Sequence, residues 1–251
     1  MKRRQAPALA ALAATATVVM LAVTGCGSSR TVHAQTSFGF SGSRLVIDAG
    51  GSDLRVVAGG GPGVGVQRWV SGTAAKPGHA SWTLAGDTLR LSIDCAGLVF
   101  SCGSRFQVAV PRGVAVVVHS GSGQDTVSGL SGPVVIDGSN GQVRLGDVSG
   151  PLQVSTGSGD VTASGIRSAA VRVNTNQGSV DIGFAAAPQS AEITCGTGNA
   201  TARLPLAGYR YRVLVTSGTG AARSRVPDDP ASSRLVRVSS SQGTATVLPA
   251  A

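Results

Sequence analysis

The chain has 251 residues and a formal charge of +9, with 13 % charged and 4 % aromatic side chains, against about 25 % charged in an average globular chain. No break in composition divides it into two large blocks, so one folded domain behind a targeting segment is the expectation. The 36 glycines follow no collagen period and lie amid abundant Val, Ser and Thr, which points to many short strands and tight turns, an all-β chain.

The first 25 residues read as an export signal: Lys2, Arg3 and Arg4 precede an apolar run from Pro7 to Val23. That run is nearly long enough for a permanent membrane helix, but it ends Val23-Thr24-Gly25-Cys26. This ending resembles the lipobox of bacterial lipoproteins. The resemblance implies that the Cys26 thiol carries a diacylglycerol, that residues 1–25 are removed, and that the domain lies outside the cytoplasm, lipid-anchored to the cell membrane. Arg3-Arg4 hints at twin-arginine export, although the Gln-Ala-Pro that follows suits such a signal poorly. Removing the signal takes the charge from +9 to +6. Residues 26–43 read as a flexible, lipid-attached tether and 44–250 as the domain proper.

Residues 44–113 are β-rich. RLVIDAGGSDLRVVAGG resembles one unit of the repeat described below, marked by Gly51, and WTLAGDTLRLSID reads as a hairpin about Gly86-Asp87. FQVAVPRG closes with a turn. Trp69, Trp82, Phe100 and Phe106 are expected to plug this end, because an uncovered last strand invites edge-to-edge pairing. Cys95 and Cys102 bracket a short loop and are expected to form a disulfide in an oxidising compartment.

Residues 114–250 repeat. Glycines recur at 123, 141, 159, 178, 198, 220 and 243. Five residues before each stand Val118, Ile136, Val154, Val173, Ile193, Val215 and Val238; seven before stand Val116, Val134, Leu152, Val171, Ala191, Val213 and Val236. The residue between is polar in four copies, the alternation of a strand with one buried face. A unit of this size cannot bury its apolar face alone, so units stack, and a parallel ladder satisfies their backbones. The expected fold is a single-domain parallel β-solenoid (a β-helix) with a β-rich N-terminal cap. Cys195 falls in a column with Ser120, Gly138, Thr156, Thr175, Ser217 and Ser240, where a thiol is a small, weakly polar filler. The longer units after Gly198 suggest that the coil loosens or ends there.

The units SGSGQDTV, TGSGDVTA and NQGSVDI, preceded by VPRGVAVVVHSGSG, resemble the bacterial putative-adhesin domain family. That resemblance covers residues 44–248 and implies a β-solenoid on an envelope protein, with no catalytic residues to carry over. In the last three copies Asn199, Ala221 and Thr244 follow the mark and no carboxylate lies just beyond them, a departure from the family pattern.

Little in the chain reads as catalysis. Asp125, Asp137, Asp147, Asp160 and Asp181 share no common offset from the glycines, and are expected to be solvated turn carboxylates. His119 and Ser120 are adjacent on a strand and point to opposite faces, so one cannot activate the other. SGSGQDTVS matches most of a calcium nonapeptide, but only Val or Ala stands at the Asp125 offset in the other copies. The expectation is a non-enzymatic surface or interaction module without cofactor or metal. An envelope-stress sensor is the alternative, and a carbohydrate-active β-helix enzyme a more distant one. Residues 203–251 carry seven arginines against two aspartates. Arg210, Arg212, Arg223 and Arg225 are candidates for binding anionic envelope lipids or polymers, with Arg234 and Arg237 able to join them. The expected partners are the membrane, such polymers and another envelope protein; nucleic acid is not expected outside the cytoplasm.

Overall fold

The computed structural model describes residues 30–95 and 102–250. The fold is all-β, with two mostly parallel sheets and, among the described residues, one helical turn at Thr73–Ala75. In chain order the first strands are β1 (Val32–Phe38), β2 (Arg44–Gly50), β3 (Asp53–Ala58), β4 (Val64–Gly72), β5 (Ala80–Ala85), β6 (Thr88–Ile93) and β7 (Cys102–Val110). There follow β8 (Ala115–Ser120), β9 (Asp125–Ser128), β10 (Val134–Asn140), β11 (Val143–Gly146), β12 (Leu152–Ser158), β13 (Val161–Ile166), β14 (Ala170–Gln177), β15 (Val180–Phe184), β16 (Ser190–Thr197) and β17 (Ala200–Leu204). The last four are β18 (Arg212–Ser217), β19 (Ala222–Ser224), β20 (Leu235–Gln242) and β21 (Ala245–Pro249).

From β8 onward even-numbered strands join one sheet and odd-numbered strands the other, so each unit adds one strand to each. The matched columns meet in register. Ile136 pairs with Val118 on one side and Val154 on the other, and Val143 with Asp125 and Val161. Inward side chains of both sheets form one buried cluster.

The glycine marks have a steric cause. A Cβ on Gly141, Gly159, Gly178 or Gly198 would collide with the carbonyl oxygen of the mark one place back, respectively Gly123, Gly141, Gly159 and Gly178. Gly123 meets the Ser52 carbonyl in the same way. Thus Ser52, not Gly51, stands at the equivalent place in the β2–β3 unit. Gly159, Gly178 and Gly198 also hold φ of 137°, 129° and 129°, a region that other residues resist.

The polar column inside the core is a ladder of donors. Thr175 Oγ1 donates to the Gly159 carbonyl (3.3 Å), Cys195 Sγ to Gly178 (2.8 Å), and Ser240 Oγ to Gly198 (2.8 Å). These carbonyls point toward the next unit, whose inward side chain supplies the donor. Cys195 is a free, buried thiol that does the work of a hydroxyl here.

The C-terminal units are stacked out of chain order. β16 pairs with β20, not β18, and β17 with β21, not β19. The strand pair β18–β19 lies outermost, and β20–β21 returns to fill the place between. The mark order agrees, since a Cβ on Gly243 would strike the Gly198 carbonyl and one on Gly220 the Gly243 carbonyl. The long spacings after Gly198 are therefore linkers of a skipped place, not a loosening coil.

The N-terminal end corrects the tether. Residues 32–38, within the 26–43 segment expected to be flexible, form β1, antiparallel to β4. VHAQTSF alternates, burying Ala34 and Thr36, while the His33 ring stacks on Trp69 at 4.9 Å. The hairpin β5–β6 turns at Gly86-Asp87, with Gly86 at φ 60°. Phe106 is fully buried and Trp82 packs against the core, beneath an Arg68 guanidinium 4.3 Å from its ring. Trp69 instead belongs to the outer pair with His33, and Phe100 lies outside the described residues.

Candidate functional site

The skipped place creates a site. Residues 205–211 climb past one strand position to reach β18, and residues 225–234 come back down to β20. The two linkers run side by side at the free end and enclose a cleft of about 740 Å³. Leu206 and Gly208–Tyr211 form one wall, Val226–Pro230 the other. Among the described residues the exposed large apolar side chains are Leu206 (37 %) and Tyr209 (44 %), and both lie here. A surface that exposes such side chains together marks a binding region more often than chance exposure does.

The cleft is held rigidly. Tyr211 is fully buried and its hydroxyl donates to the Pro205 carbonyl (2.6 Å). Burial pushes the Tyr211 phenol above its usual range, with the Arg234 charge opposing the shift. The Val213 N–H donates to Asp228 Oδ1 (2.8 Å) and the Asp229 N–H to the Tyr211 carbonyl (2.8 Å). The first of these covers a backbone N–H of β18, an edge strand, and so blunts its pairing with other chains. Asp229 Oδ1 in turn accepts the Ala231 N–H (3.0 Å). Arg234 lies 5.1 Å over the Tyr209 ring and donates to the Ala187 and Pro188 carbonyls at 3.2 and 3.1 Å.

The candidate arginines do not gather. Arg210 lines the cleft. Arg212 begins β18 on the outside of one sheet, whereas Arg223, on β19, and Arg225, just beyond it, belong to the other sheet. Arg237 stands in the outward column of Glu192 and Arg172, which are themselves paired at 2.8 Å. Tyr209 and Tyr211 are separated into one exposed and one buried ring. The cleft itself balances Arg210 against Asp228 and Asp229, and is no basic patch.

Asp125 overturns the expectation of a solvated carboxylate. It is 1 % exposed and points inward, in the column that holds Leu54, Val143, Val161 and Val180 in the neighbouring strands. Ser120 Oγ donates to its Oδ2, while its Oδ1 has no hydrogen-bond partner among the described residues. Burial raises the carboxyl to about 6, partly offset by the Ser120 hydrogen bond and augmented by Asp53. The other four are surface groups: Asp147, Asp181 and Asp137 face Arg167, Arg203 and His119, and Asp160 Oδ1 accepts the Ser179 N–H (2.7 Å). His119 is exposed and Ser120 buried, on opposite faces of β8.

Cys95 and Cys102 are joined by a disulfide, with Cα atoms 6.2 Å apart, tying the end of β6 to the start of β7. Cys26 lies outside the described residues.

No family model matches the sequence, and no curated protein matches it. Among solved structures, the chain is similar to a putative adhesin from Bacteroides fragilis, at 15 % identity over 88 % of this chain and 98 % of that one, with a TM-score of 0.43. It is similar also to a putative cell adhesion protein from Clostridium sporogenes, at 12 % identity over 94 % and 100 %, with a TM-score of 0.36. A third, a putative lipid binding protein from Parabacteroides distasonis, shows 8 % identity over 90 % and 95 %, with a TM-score of 0.39. Likeness at this level identifies neither a family nor a ligand for the chain.

Proposed function

We propose that this chain is a non-catalytic interaction module of a bacterial cell envelope: a β-solenoid anchored through a lipid on Cys26 that binds its partner at the opposite tip. The observation that carries the reading is where the exposed apolar side chains lie. β1 and β19 are the two edges of the 11-stranded sheet. Ten steps of about 4.8 Å set them roughly 48 Å apart. Cys26 precedes β1 by a few residues, so a lipid there roots one end and leaves Leu206, Tyr209 and their cleft projecting away from the membrane. Parallel in-register columns and a mark glycine in each unit from β8 onward support the solenoid reading. Because Arg212, Arg223 and Arg225 are dispersed over two faces, the proposal includes no dedicated anion site.

The test uses the full-length protein in nanodiscs of neutral lipid, presented to envelope fragments from the cells that make it. Retention of the fragments is expected, and it should fall at least tenfold in a Leu206→Ser, Tyr209→Ala double variant whose melting temperature is unchanged. Equal retention by the double variant refutes binding at the tip. Failure of a Cys26→Ser protein to stay with the membrane fraction is the companion result expected of the anchor; its persistence there contradicts the lipid.

A further inference from the structure

Deepening the tip-binding reading, on which it rests, we infer that the cleft between residues 205–211 and 225–234 takes the pyranose rings of an uncharged polysaccharide. Tyr209 supplies the first requirement, a flat aromatic face against which the C–H face of a sugar ring can stack. The ring lines the cleft, whereas Arg234 does not, so the guanidinium supports the ring from behind and leaves its other face to the cavity. Because Arg234 is fixed by two backbone carbonyls, the platform is set before any ligand arrives.

Hydroxyl recognition is the second requirement. Asp228 and Asp229 each have one carboxylate oxygen anchored by a backbone N–H (to Val213 and Ala231), and the second oxygen of each accepts nothing from the described residues. These are oriented acceptors for sugar O–H groups. The exposed Arg210 guanidinium has no hydrogen bond to the described residues either, and provides donors on the same rim. Arg210 on the rim and Arg234 behind Tyr209 are balanced by the two carboxylates, so the mouth carries no positive excess, which disfavours a polyanion and leaves a neutral, hydroxyl-rich chain as the best-matched ligand. The volume of about 740 Å³ falls within the range of small-ligand clefts.

Affinity electrophoresis of the full-length protein in detergent tests this, with mannan, arabinogalactan, xylan or a soluble glucan cast in the gel. Retardation by at least one of them is expected. It should be unchanged between low and high salt in matched binding assays, kept in Tyr209→Phe, and weakened at least tenfold in Tyr209→Ala and in Asp229→Asn. No retardation by any of the four, or retardation that Tyr209→Ala leaves intact, overturns the assignment. So does a strong, salt-sensitive preference for hyaluronate or polyphosphate, or displacement of bound envelope fragments by unstructured peptides alone. If the saccharides fail while the Leu206→Ser, Tyr209→Ala variant still loses envelope fragments, the sugar is wrong and the tip remains the binding end.

Discussion

Replacing Asp125 with valine is expected to stabilise the protein by about 2 kcal/mol at pH 7.5. The position is an inward one in a column of aliphatic side chains, and Val143 fills the same place one strand away. The wild-type carboxyl titrates at about 6 in the fold, against 3.8 as the ordinary value. At about 1.4 kcal/mol per pKa unit, holding the ionised form inside costs about 3 kcal/mol; losing the hydrogen bond from Ser120 takes back about 1 kcal/mol. The sign follows from proton linkage. A carboxyl whose folded value is raised binds its proton more tightly in the native state, so stability is highest below the ordinary value and declines as pH rises from about 4 to about 6. Above that window the penalty is complete, and at pH 5 it is about half as large. Denaturant melts across pH 5 to 7.5 should therefore show the wild type weakening with pH, and Asp125→Val and Asp125→Asn lacking this contribution. A valine variant less stable than wild type at pH 7.5 would show that the carboxylate has a partner the fold does not reveal.

Gly159→Ala should have the opposite and larger effect. The new methyl would overlap the Gly141 carbonyl, in a backbone at φ 137° that alanine resists. Neither can shift without breaking the neighbouring turn, because each turn is the floor of the next. A loss of at least about 3–4 kcal/mol is expected, enough to prevent folding in a protein of ordinary stability. The control is Gly146→Ala, where the added carbon meets only the Ser128 Cβ at an ordinary 3.7 Å, and the change should stay within about 1 kcal/mol. Urea melts of both variants separate a demand for glycine at the mark from a general intolerance of bulk. Equal losses in the two would remove the steric explanation of the repeat.

These cases also show what was readable in the chain and what was not. The aliphatic columns were legible because in-register parallel stacking puts the same chemistry at the same place in every unit; Ile136 meets Val154 for that reason. Asp125 shares its column with Val143, Val161, Val180 and Ala200, and the offset that argues against a calcium site marks an inward position just as clearly. The swapped order of the last coils left almost no trace. Val213, Val215 and Ser217 match Val236, Val238 and Ser240 position by position, so either coil fits against β16. Only the longer spacings between marks carried a signal. The tip cleft follows from that order and is built of linker residues outside every column, hence its absence from any pattern. Arg210 was legible, but as one of a group of basic residues that the fold disperses over two sheets.

Disulfide trapping tests the stacking order most directly. Thr194 and Ser239 are paired neighbours, with their hydroxyls 3.3 Å apart, whereas Thr216 pairs with Ser239 on its other side. Two steps, roughly 10 Å, then separate Thr194 from Thr216, beyond the span of a disulfide. In a Cys195→Ser background, which keeps the donor to the Gly178 carbonyl, Thr194→Cys with Ser239→Cys should crosslink readily on mild oxidation. Thr194→Cys with Thr216→Cys should stay reduced. The reverse pattern would mean that the coils stack in chain order, and the cleft formed by the two crossing linkers would not exist.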